Sequence, residues 1–266
     1  MNRIAVARLS LNQGAYRGER IDFEQVEADL LAAARSKGWE IESRPWKQGA
    51  PALHFLQRKG GGKRKLYVSS GIHGDEPAAI LAMQRLLELD QWPSDVDLFV
   101  CPILNPEGSR NGTRTNADDV DINRDYRHFR SREAAVHVDW LTGRVPFDLA
   151  ICLHEDWEAH GFYLYELNPF NRVSLAPAML IAAGQYCPLD PSEMIDGRPS
   201  HSPGLIRPQL EPGSRPEWPE ALWLLTHHTP RGYTLEAPSD WPLQVRVQTL
   251  VAALQAGVAA WMDQAD

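Results

Sequence analysis

Four polar side chains follow apolar, strand-like runs, and this placement constrains the fold more than any other feature of the chain. His73 and Glu76 come directly after one such run, and His154 and Glu236 each end another. Burial normally excludes such groups from these positions. In open α/β sheets, however, ligands gather at the carboxyl ends of the strands. The sequence therefore predicts a sheet that brings the four side chains to one edge.

The spacing of apolar residues alternates between strand and helix periods along the 266-residue chain. Helices are predicted over 22–37, 77–87, 131–141, 175–186 and from near 239 to 262. Strands are predicted over 39–43, 52–58, 65–70, 96–104, 147–153, 161–167 and 234–236. This alternation predicts an α/β fold, a three-layer sandwich in which helices flank a mixed, mostly parallel sheet.

We expect residues 1–266 to form a single domain, because neither a linker nor an internal repeat is visible. Residues 1–60 supply an N-terminal helix and strands. The glycine run 60–62 lacks the lysine and the following helix of a phosphate-binding loop, so a hairpin turn is predicted there. Residues 187–230 are rich in proline and lack periodicity, which predicts a long loop region over the site.

Composition and charge narrow the function classes. A formal net charge of −8 argues against a nucleic-acid-binding protein, which usually has a basic surface. No secretory signal and no membrane span are expected, because no long apolar stretch is evident. The three cysteines, Cys101, Cys152 and Cys187, fit no zinc-binding spacing. We expect buried, reduced thiols in a cytoplasmic protein.

The four polar residues suit a catalytic metal site. His73 and Glu76 are three residues apart at a strand-to-helix turn, so both can face one ion. His154 adds a second imidazole. Two imidazoles and one carboxylate leave a fourth zinc position open. Glu236 is then a spare carboxylate that can act as a base, although an ion pair with an arginine is the structural alternative.

A polar stretch over 105–130 contains the remaining candidates. Arginine is the preferred partner for a carboxylate because its guanidinium donates two parallel hydrogen bonds. Arg114, Asn123 and Arg124 could therefore hold an anionic end of a substrate. Taken alone, they are more typical of a solvated loop.

Together these motifs resemble the zinc carboxypeptidase family, from about residue 65 to the last helix. The order is His-x-x-Glu at 73–76, Asn-Pro-Glu-Gly at 105–108, Arg114, Asp-Ile-Asn-Arg at 121–124, then His154 and Glu236. The family motif at 105–108 has Asp in place of Glu. The resemblance is greatest to the bacterial murein tripeptide amidases, and the succinylglutamate desuccinylase and aspartoacylase branch shares the His-Gly-x-Glu-Pro start.

The resemblance implies a role for each matched residue. It makes His73, Glu76 and His154 the ligands of one zinc ion per chain, with Glu236 as the general base and acid. Arg114 would stabilise the oxyanion. Asn123 and Arg124 would hold the terminal carboxylate of the substrate. Asp121 would orient His73 from behind, as is usual for a metal-bound histidine.

One feature of the digestive enzymes is missing. They carry a mobile tyrosine some twenty residues before the catalytic glutamate, and no tyrosine stands there in this chain. Tyr163, Tyr165 and Tyr233 are nearby in sequence, but no motif supports any of them. The digestive-type substrate pocket is therefore not expected.

The expected function is hydrolysis of a C-terminal amide bond of a peptide, with murein-type γ-glutamyl peptides as the favoured substrates. Two alternatives stay open: a deacylase of N-acyl amino acids, and a catalytically silent module that binds metal or peptide. The expected partner is a peptide or an N-acyl amino acid with a free carboxylate. Binding to nucleic acid or to a membrane is not expected. The sequence leaves open the oligomeric state, the side-chain specificity and the roles of His201, His227 and His228.

Overall fold

An eight-stranded sheet forms the centre of the structure, a computed structural model that describes residues 8–10, 18–45, 49 and 51–264. Its strands are β1 (Glu40–Arg44), β2 (Leu53–Arg58), β3 (Lys65–Ser69), β4 (Asp97–Cys101), β5 (Leu149–Asp156), β6 (Tyr163–Leu167), β9 (Leu205–Ile206) and β10 (Gly232–Pro238). A separate pair consists of β7 (Met194–Ile195) and β8 (Arg198–Pro199).

Seven α-helices accompany the sheet within the described residues. They are α1 (Phe23–Ser36), α2 (Pro77–Leu89), α3 (Pro106–Asn111), α4 (Arg132–Thr142), α5 (Ala176–Ala183), α6 (Glu220–His227) and α7 (Leu243–Met262). Polar residues begin several of them. Asp22 and Ser131 accept hydrogen bonds from backbone N–H groups in the first turns of α1 and α4, as helix N-caps do.

The strand order is β1-β2-β4-β3-β5-β10-β6-β9. The central neighbours β4, β3, β5 and β10 run parallel, whereas β2 and β6 are antiparallel to the strands inside them. The sheet is therefore mixed and mostly parallel at its centre. Its central strands are buried on both faces, which explains why they read as nearly continuous apolar runs.

Helices cover both faces of the sheet, so the predicted three-layer sandwich is confirmed. Alternate residues of β5 show the division: Ile151 and Leu153 pack with α1, α2, α5 and α7, whereas Cys152 packs with α4 and α6. Because side chains alternate along a strand, His154 points to the same face as Cys152. The candidate site therefore lies on the α4 and α6 side of the sheet.

The predicted hairpin at Gly60–Gly62 is wrong. This run connects β2 to β3, and β4 lies between those two strands in the sheet. The glycines are needed for a close crossing: a Cβ on Gly62 would stand 1.6 Å from the carbonyl oxygen of Asp95. A hydrogen bond of 2.9 Å from the Gly60 N–H to the Asp97 carboxylate fixes the crossing.

Residues 187–230 contain more regular structure than a loop region. They include the strands β7, β8 and β9 and the helix α6, which the sequence did not predict. Tertiary contacts hold this segment in place. The side-chain oxygen of Asn123 accepts from the Glu220 N–H at 2.9 Å, and the Tyr126 N–H donates to the Trp218 carbonyl.

The last helix qualifies the expectation of no membrane span. By length and composition alone, α7 could cross a membrane, and it is the one such helix among the described residues. The expected absence of a membrane span stays a prediction. Half of its most apolar window is buried, and it packs against α2, α5 and β10, as a core helix does.

The three cysteines are free and buried, as expected. The expectations for the first residues of the chain fall partly on 1–7 and 11–17, which lie outside the described residues. The remainder of the N-terminal segment forms the predicted helix and two strands.

A buried polar network joins the sheet to α6. Glu220 accepts hydrogen bonds from the Tyr67 hydroxyl at 2.8 Å and the Ser69 hydroxyl at 2.9 Å. His137 lies between the hydroxyls of Tyr67 and Tyr126, at 2.8 and 2.6 Å. Burial raises the pKa of Glu220 to about 7, although the two hydroxyls that donate to it favour ionisation. The carboxyl is therefore more easily protonated in the folded chain than in the unfolded chain.

This raised pKa predicts a loss of stability as the pH increases. The neutral Glu220 carboxyl contributes its full stability below pH about 4.5, and that contribution is lost as the pH rises through about 7. The total loss is roughly 3 kcal/mol. Because Glu220→Gln cannot ionise, its free energy of unfolding should decline less over this interval in urea titrations of the metal-free protein. The exposed Glu193→Gln is the control. Parallel pH profiles for Glu220→Gln and the unmutated protein would contradict the assignment.

Candidate metal centre

A tight turn after β3 places His73 and Glu76 at the start of α2. Gly71 has a φ of 63°, which favours glycine. Gly74 lies against the backbone of α3, because a Cβ there would stand 1.9 Å from the Gly108 carbonyl carbon. Pro77 occupies the first position of α2, where its fixed φ suits a helix and no N–H is required.

The Asn-Pro-Glu-Gly motif supports this turn from the other side. Asn105 is the N-cap of α3, and its side-chain oxygen accepts from the Gly108 N–H at 2.9 Å. The same amide donates to the Arg114 carbonyl at 3.3 Å. Glycine is required at 108, because a Cβ would lie 2.3 Å from the Asn105 amide nitrogen. The motif therefore links the metal-site turn to the segment that carries Arg114.

The Glu76 carboxylate lies between the two imidazoles. One oxygen is 2.5 Å from Nδ1 of His73, and the other is 3.0 Å from Nδ1 of His154. The second oxygen also accepts from the Glu155 N–H at 3.1 Å. All three side chains are buried, with 3–4% of each residue exposed. The sequence-predicted ligand set is thus brought together in one place.

Charge and burial act in opposition at this cluster. Burial would raise the pKa of Glu76, but the neighbouring His73 and His154 outweigh it and hold that pKa well below its usual range. Burial lowers the pKa of His154. Burial would also lower the pKa of His73, but the carboxylates of Glu76 and Asp121 raise it instead.

The donor set fits a metal ion. One ligand atom from each of His73, Glu76 and His154 lies within 4.8 Å of the others, and among the described residues this is the one such group. Two imidazole nitrogens and a carboxylate oxygen are a common zinc set that leaves a position open. Nδ1 of His73 and Nδ1 of His154 both face the Glu76 carboxylate. The two rings therefore present these metal-binding nitrogen atoms to one point.

Asp121 lies behind His73, as the resemblance implies. Its carboxylate is 3.3 Å from Nε2, the ring nitrogen that faces away from Glu76. It also accepts from the Asn123 N–H at 2.9 Å and from Nε of Arg114 at 3.1 Å. Burial opposes its ionisation, but His73 and Arg114 hold the pKa of Asp121 well below its ordinary value. The carboxylate thus orients both an imidazole and a guanidinium.

Arg114, Asn123 and Arg124 line the same cleft as the metal-site residues. Arg114 lies 3.7 Å from a Glu76 oxygen and keeps 41% of its side chain exposed, so it can reach a ligand. The Asn123 side-chain oxygen already accepts from α6. Arg124 is exposed and donates to the Asn123 carbonyl at 2.9 Å.

Glu236 stands beside His154 in the sheet. The parallel strands β10 and β5 pair these two residues, and antiparallel β6 pairs Tyr163 with Glu236 on the other side. Burial raises the pKa of Glu236 well above its ordinary value, and repulsion from Glu76 and Asp156 adds to the increase. A raised pKa makes the ionised carboxylate a stronger base than an ordinary glutamate.

The cleft has a volume of about 680 Å³, and segments far apart in sequence line it. Two of the three tyrosines that the sequence left open take part. Tyr163 and Tyr165 line the cleft, and their hydroxyls donate to the carboxylates of Asp156 and Asp196. Tyr233 points to the opposite face of the sheet, where it donates to Glu166 at 2.8 Å.

The three histidines of segment 187–230 do not line this cleft. Exposed His201 lies 2.8 Å from a guanidinium nitrogen of Arg207. His227 packs against Trp223, and buried His228 packs edge-on against Phe147. None of the three joins a group of metal-binding donors among the residues that the structure describes.

Sequence reasoning missed a buried ion pair beneath the site. Glu155, directly after His154, accepts from Nη1 of Arg246 at 2.5 Å, and both side chains are fully buried. Its other oxygen accepts from the Ala78 N–H in the first turn of α2. The pair therefore joins β5, α2 and α7 behind the Glu76 carboxylate. The signal available in the sequence was Glu155 itself, an acidic residue near the end of an apolar strand. Its partner, however, lies 91 residues away.

The comparisons with known proteins agree with this geometry. Residues 62–180 match the succinylglutamate desuccinylase/aspartoacylase catalytic domain. Murein peptide amidase A of Vibrio campbellii is 38% identical over 79 residues, which are 29% of this chain and 30% of that protein. The resemblance to the zinc carboxypeptidases and these two branches is confirmed.

Solved structures share the fold. A proposed metallopeptidase from Shewanella denitrificans superposes with a TM-score of 0.77 at 23% identity, covering 90% of each chain. A metallo-carboxypeptidase from Pseudomonas aeruginosa, in complex with (2-guanidinoethylmercapto)succinic acid, gives a TM-score of 0.66 at 20% identity. That alignment covers 89% of this chain and 68% of the other. At these identities the similarity establishes a carboxypeptidase-like fold.

The Asp121–His73 contact predicts an effect on metal affinity. Removing the carboxylate charge in Asp121→Asn should weaken zinc binding about 10- to 100-fold, because the imidazole loses the group that orients it. Competition with a chelating dye measures the affinity directly. Asp118→Asn, on the exposed part of the same loop, is the control. Equal zinc affinity in the Asp121 and Asp118 variants would refute the orienting role.

Proposed function

We propose that the chain is a zinc-dependent hydrolase of amide bonds next to a free carboxylate, a metallocarboxypeptidase. One observation carries this proposal. The buried group of His73, Glu76 and His154 opens into the same cleft as a protonatable carboxyl and several cationic side chains. These are the parts that amide hydrolysis needs: a metal site, a proton carrier and a group that stabilises negative charge.

The residues present fit zinc. When bound by His73, Glu76 and His154, zinc would supply Lewis acidity and an acidified water. The protein's own contribution begins with Glu236. Its raised pKa allows the carboxyl to accept a proton as the amide is attacked and to donate that proton to the leaving amine.

Arg114 is the group proposed to stabilise the oxyanion. Asp121 holds its Nε, and the exposed part of the guanidinium faces the cleft. Nearby carboxylates raise its pKa despite burial, so it stays charged. Such a preorganised donor typically contributes on the order of 3 kcal/mol to the transition state.

Asn123 and Arg124 are proposed to hold the substrate's terminal carboxylate. They follow one another on the short helical turn 122–124, which Asp121 caps. The Asn123 side-chain oxygen is engaged by α6, so its amide group is left to donate. An exposed guanidinium next to that amide suits a carboxylate, which only accepts hydrogen bonds.

Two substrate classes have specific support. The sequence similarity to a murein peptide amidase favours peptides of the murein type, including γ-glutamyl linkages. The match of residues 62–180 favours a deacylase of N-acyl amino acids as the second candidate. Both classes end in a free carboxylate. Three buried, free thiols support the accompanying proposal of a cytoplasmic location.

The general-base proposal predicts loss of turnover without loss of metal. Glu236→Gln keeps the shape of the side chain but cannot accept a proton, so we expect kcat to fall at least about a hundredfold. Zinc content, measured by elemental analysis, should stay at that of the unmutated protein. Mass spectrometry of a mixed panel of murein-type peptides, ordinary peptides and N-acyl amino acids measures turnover.

The same panel separates the candidate functions. Loss of one C-terminal residue, absent in Glu236→Gln, supports the carboxypeptidase, whereas loss of an acyl group alone supports the deacylase. Zinc-loaded protein that leaves every substrate unchanged would instead favour a silent binding module. Full activity in Glu236→Gln would refute the assignment of the base.

The carboxylate clamp predicts a substrate-dependent change. Arg124→Ala should raise KM about tenfold or more for substrates with a free terminal carboxylate, because a charge-assisted hydrogen bond is lost. Both proteins should cleave substrates amidated at that end poorly. The KM values for these substrates should differ little between the two proteins. Arg35→Ala, an exposed arginine at the end of α1, is the control. An equal loss on both substrates would contradict the clamp.

A further inference from the structure

Two cleft arginines outside the family motifs lack an acidic partner. Arg198 and Arg215 line the cleft, as Arg124 does. Within the described part of the chain, none of these three guanidinium groups forms an ion pair. Arg114, which lines the same cleft, is paired with Asp121 and Glu76. The cleft thus combines one arginine that is paired with carboxylates and three that form no ion pair among the described residues.

A hairpin brings Arg198 to the cleft. Asp196 and Gly197 connect β7 to β8 with φ values of 47° and 64°, which is the two-residue turn that Asp-Gly favours. Asp196 is the acidic residue nearest to Arg198 in sequence. The Tyr165 hydroxyl donates to the Asp196 carboxylate, and no ion pair forms between Asp196 and Arg198 among the described contacts. The hairpin therefore presents a guanidinium whose nearest acidic residue in sequence is already engaged by Tyr165.

Arg215 approaches from a different segment, the loop before α6. Burial lowers the pKa of Arg215, and the charges of Arg198 and Arg124 lower it further. Three like charges that share one cleft repel each other in the free protein. Carboxylates such as Asp156, Glu158 and Glu217 line other parts of the cleft, so the positive charge is limited to the part that the three arginines share. An anion bound between the arginines would relieve the repulsion, whereas a cation would add to it.

We propose that Arg198 and Arg215 bind a second carboxylate of the substrate, in addition to the terminal carboxylate held by Arg124. The substrate class is then an amide that carries at least two carboxylates close to the bond that is cleaved. Guanidinium groups bind carboxylates through two parallel hydrogen bonds, so two arginines from separate segments select for position as well as charge. This inference rests on the proposed amide hydrolase.

Matched substrate pairs test the inference. Within each pair, a side-chain carboxylate, as in glutamate, is replaced by the carboxamide of glutamine. The pairs together place this group on either side of the scissile amide. The expected result is a kcat/KM ratio of about tenfold or more in favour of the carboxylate. Arg198→Gln and Arg215→Gln should each reduce that ratio toward one, mainly through KM.

Arg35→Gln, an exposed charge change at the end of α1, is the matched control and should keep the ratio. A ratio near one in the unmutated protein would overturn the inference while leaving the hydrolase proposal intact. A large ratio that neither cleft variant reduces would overturn it as well. Circular dichroism spectra identical to that of the unmutated protein establish that the variants are folded.

A binding measurement separates this inference from the proposed function. Calorimetry on metal-free protein would compare succinate, glutarate and adipate with their half-amides. At least one diacid should bind about tenfold more tightly than its half-amide, and Arg198→Gln and Arg215→Gln should remove the difference. Equal binding of every diacid and half-amide would overturn the inference. Selective diacid binding without hydrolysis of any substrate would refute the hydrolase and keep the anion site.

Discussion

The site depends on one carboxylate held between two imidazoles. Glu76 contacts His73 from its own turn and His154 from β5, and a backbone N–H of β5 donates to the same carboxylate. The two histidines compensate the cost of burying the glutamate. The turn after β3, the start of α2 and the end of β5 must therefore be correctly placed together. This explains why glycines and a proline surround the two ligands of the turn.

Further buried polar groups fix the layers around this point. The Glu155–Arg246 pair joins β5 to α7 on one face of the sheet, and Glu220 with Tyr67 and Ser69 joins β3 to α6 on the other. Buried ion pairs often add little net stability because desolvation offsets the attraction. They do penalise misplacement, since a shifted helix would leave a buried charge without its partner. The two networks therefore favour one packing of the helices on the sheet.

The sequence predicted the strands and helices wherever apolar residues recur with one clear period. It also predicted the ligand cluster, because polar residues at the ends of buried strands have few structural explanations. The sequence did not predict features that depend on contacts between residues far apart in the chain. Helix α6 is short, lies among prolines and has its first N–H bonded to the Asn123 side chain. The glycine run at 60–62 was misread as a hairpin, because neighbours in sequence need not be neighbours in a sheet. The partners of Glu155 and Asp196 lie too far away in sequence to be read from it.

The pairing of β10 with β5 ties chemistry to strand register. Glu236 and His154 stand side by side on parallel strands, and successive residues of a strand point to opposite faces. A slip of β10 by one residue would turn Glu236 toward the helices α5 and α7 and bring Leu235 or Ala237 to the cleft. Such a slip would also bury the Glu236 carboxyl among the apolar side chains of that layer, which is unfavourable for packing. The register that places Glu236 beside His154 is thus the same register that the apolar pattern of β10 favours.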